Sequence, residues 1–171
     1  SAFEGCSSMS GLDLNQISFH NKSFDSKTPL NIISIGREHW KKGYSYALDA
    51  MNLLDKENID FNYTIVGVDK SEELLYQRSQ FECKNKITFM EKTPFLKVKE
   101  LIKNADVLLL SSVEEGIANV VLEAMALGTL VVSTECGGMN EVIKNNENGF
   151  LVPIRNSEAI ATTIKKITEI P

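Results

Sequence analysis

Short apolar runs rich in β-branched residues recur along this chain, each stopped by glycine or a polar loop, with stretches of helical period between them. LNIISI at 30–35 stops at Gly36, and FNYTIV at 61–66 stops at Gly67. KITFM follows at 86–90, VLLL at 107–110, LVVS at 130–133 and GFLV at 149–152. A strand with one wet face alternates polar and apolar residues, whereas a run as apolar as VLLL must be covered on both faces. Strands of that kind separated by helices predict a doubly wound, Rossmann-like α/β fold, a parallel sheet of about six strands with helices on both faces.

The intervening stretches read as helices. Tyr46, Ala47, Ala50, Met51 and Leu54 share one helical face. Ser71 is an N-cap candidate with Glu72 and Glu73 in the first turn, which predicts a helix over 71 to about 81. Pro94 opens a helix whose stripe is Phe95, Val98, Leu101, Ile102 and Ala105. Residues 119–127 form a helix apolar on nearly every face, ended by Gly128, and 140–144 a short helical turn. Ser157-Glu158 caps a closing helix to about residue 169. Residues 1–29 are Ser-rich and aperiodic, a linker or entering arm before a domain at 30–171.

Composition narrows the function classes. Among 171 residues, 18 Lys+Arg against 23 Asp+Glu leave a net charge of −5, so nucleic acid is not expected as a partner and an anionic ligand needs local cations. The three cysteines, Cys6, Cys83 and Cys136, have no metal-ligand spacing and do not form a disulfide framework, which fits a reducing cytoplasm. No apolar run reaches the roughly 20 residues that cross a bilayer, and no secretory signal is visible. The chain opens on Ser1-Ala2 without an initiator Met, as a segment of a longer protein would.

In a doubly wound sheet, ligands sit beyond the carboxyl ends of the strands. The loop after the first strand carries Arg37 and Lys42; a guanidinium grips a phosphate with two hydrogen bonds and an ammonium adds a point charge, a pair suited to a diphosphate or simply to a solvated basic loop. After 107–110 comes Glu115-Gly116, then a helix start at Ile117, Ala118, Asn119 and Val120 whose amides face an anion. Glu123 is the one charge in an otherwise apolar helix, costly unless it is paired or reaches the surface. Gly137-Gly138 in a third loop are turn residues or a lining for the same crevice. No GxGxxG, P-loop, GxSxG or DxD motif occurs. His20 and His39 read as structural or solvent-facing and not as catalytic, Trp40 as packing on the following helix, and Lys97, Lys99 and Lys103 as a solvated helix face.

Together these loops resemble the C-terminal, donor-binding half of GT-B glycosyltransferases of the retaining family 4 group. EGIANVVLEAMALGTLVV at 115–132 is similar to that family's E-x7-E region, Cys136 to Glu141 to its Gly-Gly-x-x-Glu segment, and Ile35-Gly36-Arg37 with Lys42-Gly43 to its G-R…K-G segment. Gly11-Leu12-Asp13 resembles the linker before that domain. The resemblance implies metal-independent, retaining transfer of a hexosyl group from a nucleotide-diphosphate sugar to a glycan or glycolipid, with no cofactor. It implies Arg37 and Lys42 on the diphosphate, Glu115 on the donor sugar, Glu123 on the ribose, and the backbone of residues 116–120 on sugar and phosphate. It further implies polysaccharide, capsule or lipopolysaccharide synthesis by a cytoplasmic enzyme peripheral to the inner membrane face, whose N-terminal half binds the acceptor and without which this domain is inactive. Ser111 replaces a common proline and is expected to matter little; Asp69 and Glu91 replace glycines near the base pocket and leave UDP, GDP and ADP open. A non-catalytic nucleotide-binding module and half of a sugar-nucleotide epimerase are the alternatives.

Overall fold

The computed structural model describes residues 28–170. The expected arm, Cys6, His20 and the 11–13 motif lie outside the described residues, apart from Thr28 and Pro29. Six parallel strands, β1 (Leu30–Ile35), β2 (Phe61–Val66), β3 (Ile87–Met90), β4 (Val107–Leu110), β5 (Leu130–Thr134) and β6 (Phe150–Val152), form one sheet in the order β3-β2-β1-β4-β5-β6. The chain builds outward from β1 to β3, crosses back, and starts again at β4 beside β1. That reversal opens a crevice between the carboxyl ends of β1 and β4.

Side chains alternate faces along a strand, so apolar residues at every position build two cores. On one face Ile32, Tyr63, Leu109 and Val132 meet α1 (Tyr44–Lys56), α2 (Glu72–Ser79) and α6 (Ser157–Thr168). On the other, Ile33, Val66, Leu108 and Val131 meet α3 (Phe95–Asn104), α4 (Asn119–Ala126) and the single turn α5 (Met139–Val142). Leu48 is wholly enclosed, and truncating it to Ala would cost about 2–5 kcal/mol. Inside, Ser34 donates to the Leu109 carbonyl at 2.7 Å, which leaves the Tyr63 hydroxyl to donate to Ser34 at 2.7 Å. Among the described residues no buried side-chain nitrogen or oxygen lacks a partner.

Three local expectations need correction. Ser71 caps α2 as expected, accepting from the Leu74 amide, but the helix ends at Ser79 and a 3-10 stretch, Glu82–Lys86, leads into β3. The cap of α6 is Asn156, whose side chain accepts from the Ala159 amide at 2.9 Å; Ser157 instead donates to the Tyr46 carbonyl on α1. Phe95, in the first turn of α3, is 61 % exposed and does not join the inward stripe, which Val98, Leu101 and Ile102 carry.

Candidate donor site

Arg37 and Lys42 flank a loop that leaves β1 through Gly36 and closes in a 3-10 turn, Trp40–Lys42. His39 caps this turn, its Nδ1 accepting from the Lys41 amide at 3.3 Å, which gives the histidine the structural role expected of it. Trp40 is 65 % exposed and so does not pack on the following helix. Gly43 ends the turn at φ +61°, and a Cβ there would stand 2.2 Å from the Ser111 carbonyl oxygen. Only glycine fits both that conformation and that approach.

The β1 and β4 loops are tied together along their length. The Val113 amide donates to the Lys41 carbonyl at 2.7 Å, and the Ser111 hydroxyl donates to the Lys42 carbonyl at 2.8 Å. Ser111 therefore matters more than expected: proline at this position could not make that bond. Lys42 Nζ lies 2.9 Å from Glu115 Oε2, and Ser112 Oγ donates to the same oxygen at 3.1 Å. Two residues 73 apart in sequence thus meet at the switch point of the sheet. Glu115 Oε1 has no protein partner among the described residues.

The third loop closes the floor. Gly137, at φ +54°, lies so close to the Glu115 carbonyl that a Cβ would fall 1.6 Å from its oxygen, and Ile117 covers Gly138. Beneath, Thr134 donates to the Ser112 carbonyl and contacts Cys136. Burial pushes the Cys136 thiol up from its ordinary range, with the Glu115 charge adding to the effect and Lys42 opposing it. Burial likewise raises the Tyr44 phenol, whose hydroxyl donates to the Gly36 carbonyl at 2.7 Å; the neighbouring Tyr63 and Glu115 raise it further.

Arg37 stands exposed where the chain leaves β1, and its guanidinium makes no hydrogen bond or ion pair with another described residue. Its neighbour Glu38 accepts a short 2.5 Å hydrogen bond from Ser71 at the start of α2, which anchors that side of the loop. Gly116 is exposed with open space around its Cα, Ile117 is half-buried, and Ala118 is buried as the N-cap of α4. Ala118 supplies no side-chain cap, so the amides of Asn119 and Val120 begin the helix without a side-chain partner. Glu123, one turn on, is half-buried and unpartnered among the described residues; its side chain keeps some contact with solvent, which lowers the burial cost expected of a lone charge in an apolar helix. Lys42 and Glu115 are therefore in contact, whereas Arg37 and Glu123 occupy elements beside them without touching the pair. Sequence reasoning missed Ser112, whose signal was only a polar residue directly after a fully apolar strand. Among the described residues no three His, Cys, Asp or Glu converge as metal ligands.

Residues 15–171 match the family model described as Glycosyl transferases group 1. The chain belongs to that family. It is 33% identical over 150 residues to the putative colanic acid biosynthesis glycosyltransferase WcaL of Escherichia coli, covering 84% of this chain and 37% of that protein. It is 31% identical over 148 residues to the amylovoran biosynthesis glycosyltransferase AmsK of Erwinia amylovora, covering 82% and 36%. The chain thus spans little more than a third of these relatives. The C-terminal domain of a glycosyl transferase group 1 family protein (LpcC) from Francisella tularensis shares its fold, with a TM-score of 0.71 at 23% identity, over 92% of this chain and 87% of that one. So does Anabaena Alr3699/HepE, solved in complex with UDP-glucose, with a TM-score of 0.76 at 23% identity, over 93% and 46%.

Proposed function

We propose that this chain is the C-terminal, donor-binding half of a retaining family 4 glycosyltransferase, and that its rim holds a nucleotide-diphosphate hexose. Domain bounds of 30–171, with residues 1–29 as a linker from the interdomain region, belong to the same proposal. The observation that carries it is the meeting of Lys42, Glu115 and Ser112 at the β1/β4 switch point, beside the uncapped start of α4. An ammonium has three hydrogens, so Lys42 can keep Glu115 and still reach a phosphate oxygen. Arg37 supplies the second, bidentate cation, and the amides of residues 116–120 complete the anion site. Glu115, already held through Oε2, has Oε1 left to accept from a sugar hydroxyl, and Glu123 is free to accept from the ribose.

In the transfer, the bond from the anomeric carbon to the diphosphate oxygen breaks, a bond to an acceptor hydroxyl oxygen forms, and the hydroxyl proton passes to an oxygen of the departing diphosphate. Negative charge grows on the leaving diphosphate. On this reading Arg37, Lys42 and the amides at the start of α4 stabilise that charge as preorganised donors, and no metal ion is needed. A glycan or lipid-linked acceptor binds to the remaining half of the enzyme, which works in the cytoplasm at the inner face of the membrane. WcaL and AmsK, glycosyltransferases of colanic acid and amylovoran biosynthesis, support the glycan-building role, and HepE, as the UDP-glucose complex, supports a nucleotide-sugar donor.

Calorimetric titration with UDP, GDP, ADP and their hexose conjugates tests the reading, with the fluorescence of Trp40, the single tryptophan, as a reporter inside the Arg37–Lys42 loop. Weak binding of one nucleotide and its sugar conjugate is expected, without transfer by this chain alone. No binding by any of them at millimolar concentration overturns it.

A further inference from the structure

We propose that the start of α3 is a docking tip for an anionic lipid surface. Five large apolar side chains stand out among the described residues, and two of them, Phe95 (61 % exposed) and Leu96 (80 %), are consecutive. Neither belongs to the inward stripe of α3, where Ile102 is buried and Val98 and Leu101 pack on the core. Around them stand Lys92, Lys97, Lys99 and Lys103, all exposed, none in an ion pair or hydrogen bond with another described residue. Glu100 is the one acid interspersed within residues 92–103. On a chain with a net charge of −5 this is a local reversal of sign, and it coincides with the apolar tip.

The chemistry fits a bilayer better than a protein partner. A two-residue apolar tip at a helix start falls far short of the roughly 1,200–2,000 Å² that a stable protein interface buries. Lysines on flexible stems match a diffuse layer of anionic headgroups, and their stems lie along apolar surface while the charges stay wet. α3 follows β3 at the carboxyl end of the sheet, the same rim as the Lys42–Glu115 pair, so docking through Phe95 and Leu96 turns that rim toward the headgroups. The tip stands on its own residues and does not depend on the donor reading, which the nucleotide titration tests separately.

The experiment is co-sedimentation of the 171-residue chain with vesicles of phosphatidylglycerol and phosphatidylcholine in equal parts, and with pure phosphatidylcholine. Binding is expected to the mixed vesicles only, and to fall as salt is raised. Leu96→Asp should weaken it by about tenfold or more, and Lys97→Gln, Lys99→Gln and Lys103→Gln by about fivefold each. Tyr76→Ser, at an equally exposed aromatic on α2, should change nothing. Circular dichroism confirms that each variant folds, and the exposed lysine variants test the idea even if Leu96→Asp does not. Failure of the parent chain to bind mixed vesicles overturns the proposal, as does equal binding by all the α3 variants. Self-association abolished by Leu96→Asp, without vesicle binding, overturns it in favour of a second copy.

Discussion

Two lysine–carboxylate clusters sit at opposite ends of the sheet, and they are built differently. At the amino ends Lys86 faces two acids, Asp55 Oδ1 at 3.2 Å and Asp60 Oδ1 at 3.4 Å, with its ammonium 5.4 Å from the centre of the Phe61 ring. That cluster ties the end of α1 to the starts of β2 and β3, and its cation is already matched by acids. At the carboxyl ends Lys42 has one acid, shared with Ser112, while Arg37 on the same loop and Glu123 on α4 have no hydrogen-bond or ion-pair partner among the described residues. The lesson is that an ion pair alone does not separate the two clusters; they differ in how much charge is left over around the pair, and the proposed donor site rests on that surplus.

The largest effect should come from the backbone beneath the second cluster. Gly137→Ala forces a Cβ toward the Glu115 carbonyl at a positive φ, and we expect a loss of about 2–4 kcal/mol. Thermal unfolding should register it as a drop of about 5–10 °C, and an unchanged melting temperature would show that the rim is softer than its geometry implies. Lys42→Met comes next and should separate the two clusters. Its pair is partly solvated, so stability should move by about 0–1 kcal/mol, whereas calorimetric nucleotide affinity should fall about ten- to hundredfold. A large melting shift with intact affinity would make Lys42 the twin of Lys86.

Glu123→Ala sharpens the contrast. With no partner among the described residues to lose, it should leave stability within about 0.5 kcal/mol while weakening nucleotide binding by about tenfold. A stability loss with unchanged affinity would reassign the side chain to the fold. The smallest effect concerns Lys86, whose ammonium is held above the ordinary lysine value by its hydrogen bond to Asp55, against a smaller burial cost. The folded chain binds that proton more tightly than the unfolded one, so the contribution is complete below about pH 10.4, the unfolded lysine value, and is lost as pH climbs through the folded value. The melting difference between the parent and Lys86→Met should therefore shrink between neutral pH and about pH 11, with nucleotide binding at neutral pH untouched.

Several residues were legible in the sequence because their signals are local. Ser71 with Glu72-Glu73 announced the start of α2, and FNYTIV marks β2 to the residue. Other residues were not legible, for a common reason. Asn156 and Ser157 are both good caps on paper, and the choice fell to Asn156 because the Ser157 hydroxyl is taken by α1. Phe95 has the right helical phase for the core, but it stands in the first turn of α3 and remains exposed, a matter of what packs around the helix start and not of its phase. Ser111 gains its role from the Lys42 carbonyl 69 residues away, and Ser112, only three residues from Glu115, gains its role once Lys42, 73 residues from that acid, is brought to the same oxygen.

The order of residues by itself determined the alternation of strands and helices, the two-sided burial of the sheet, and the identity of the charged groups in each loop. These are properties of short windows, set by periodicity and by glycine. Tertiary structure alone decided that β1 lies beside β4, and hence that Lys42 meets Glu115, that Ser112 shares its oxygen, and that Phe95 and Leu96 face outward. Strand pairing is a long-range choice, made by the sum of both cores, and no window of sequence contains it.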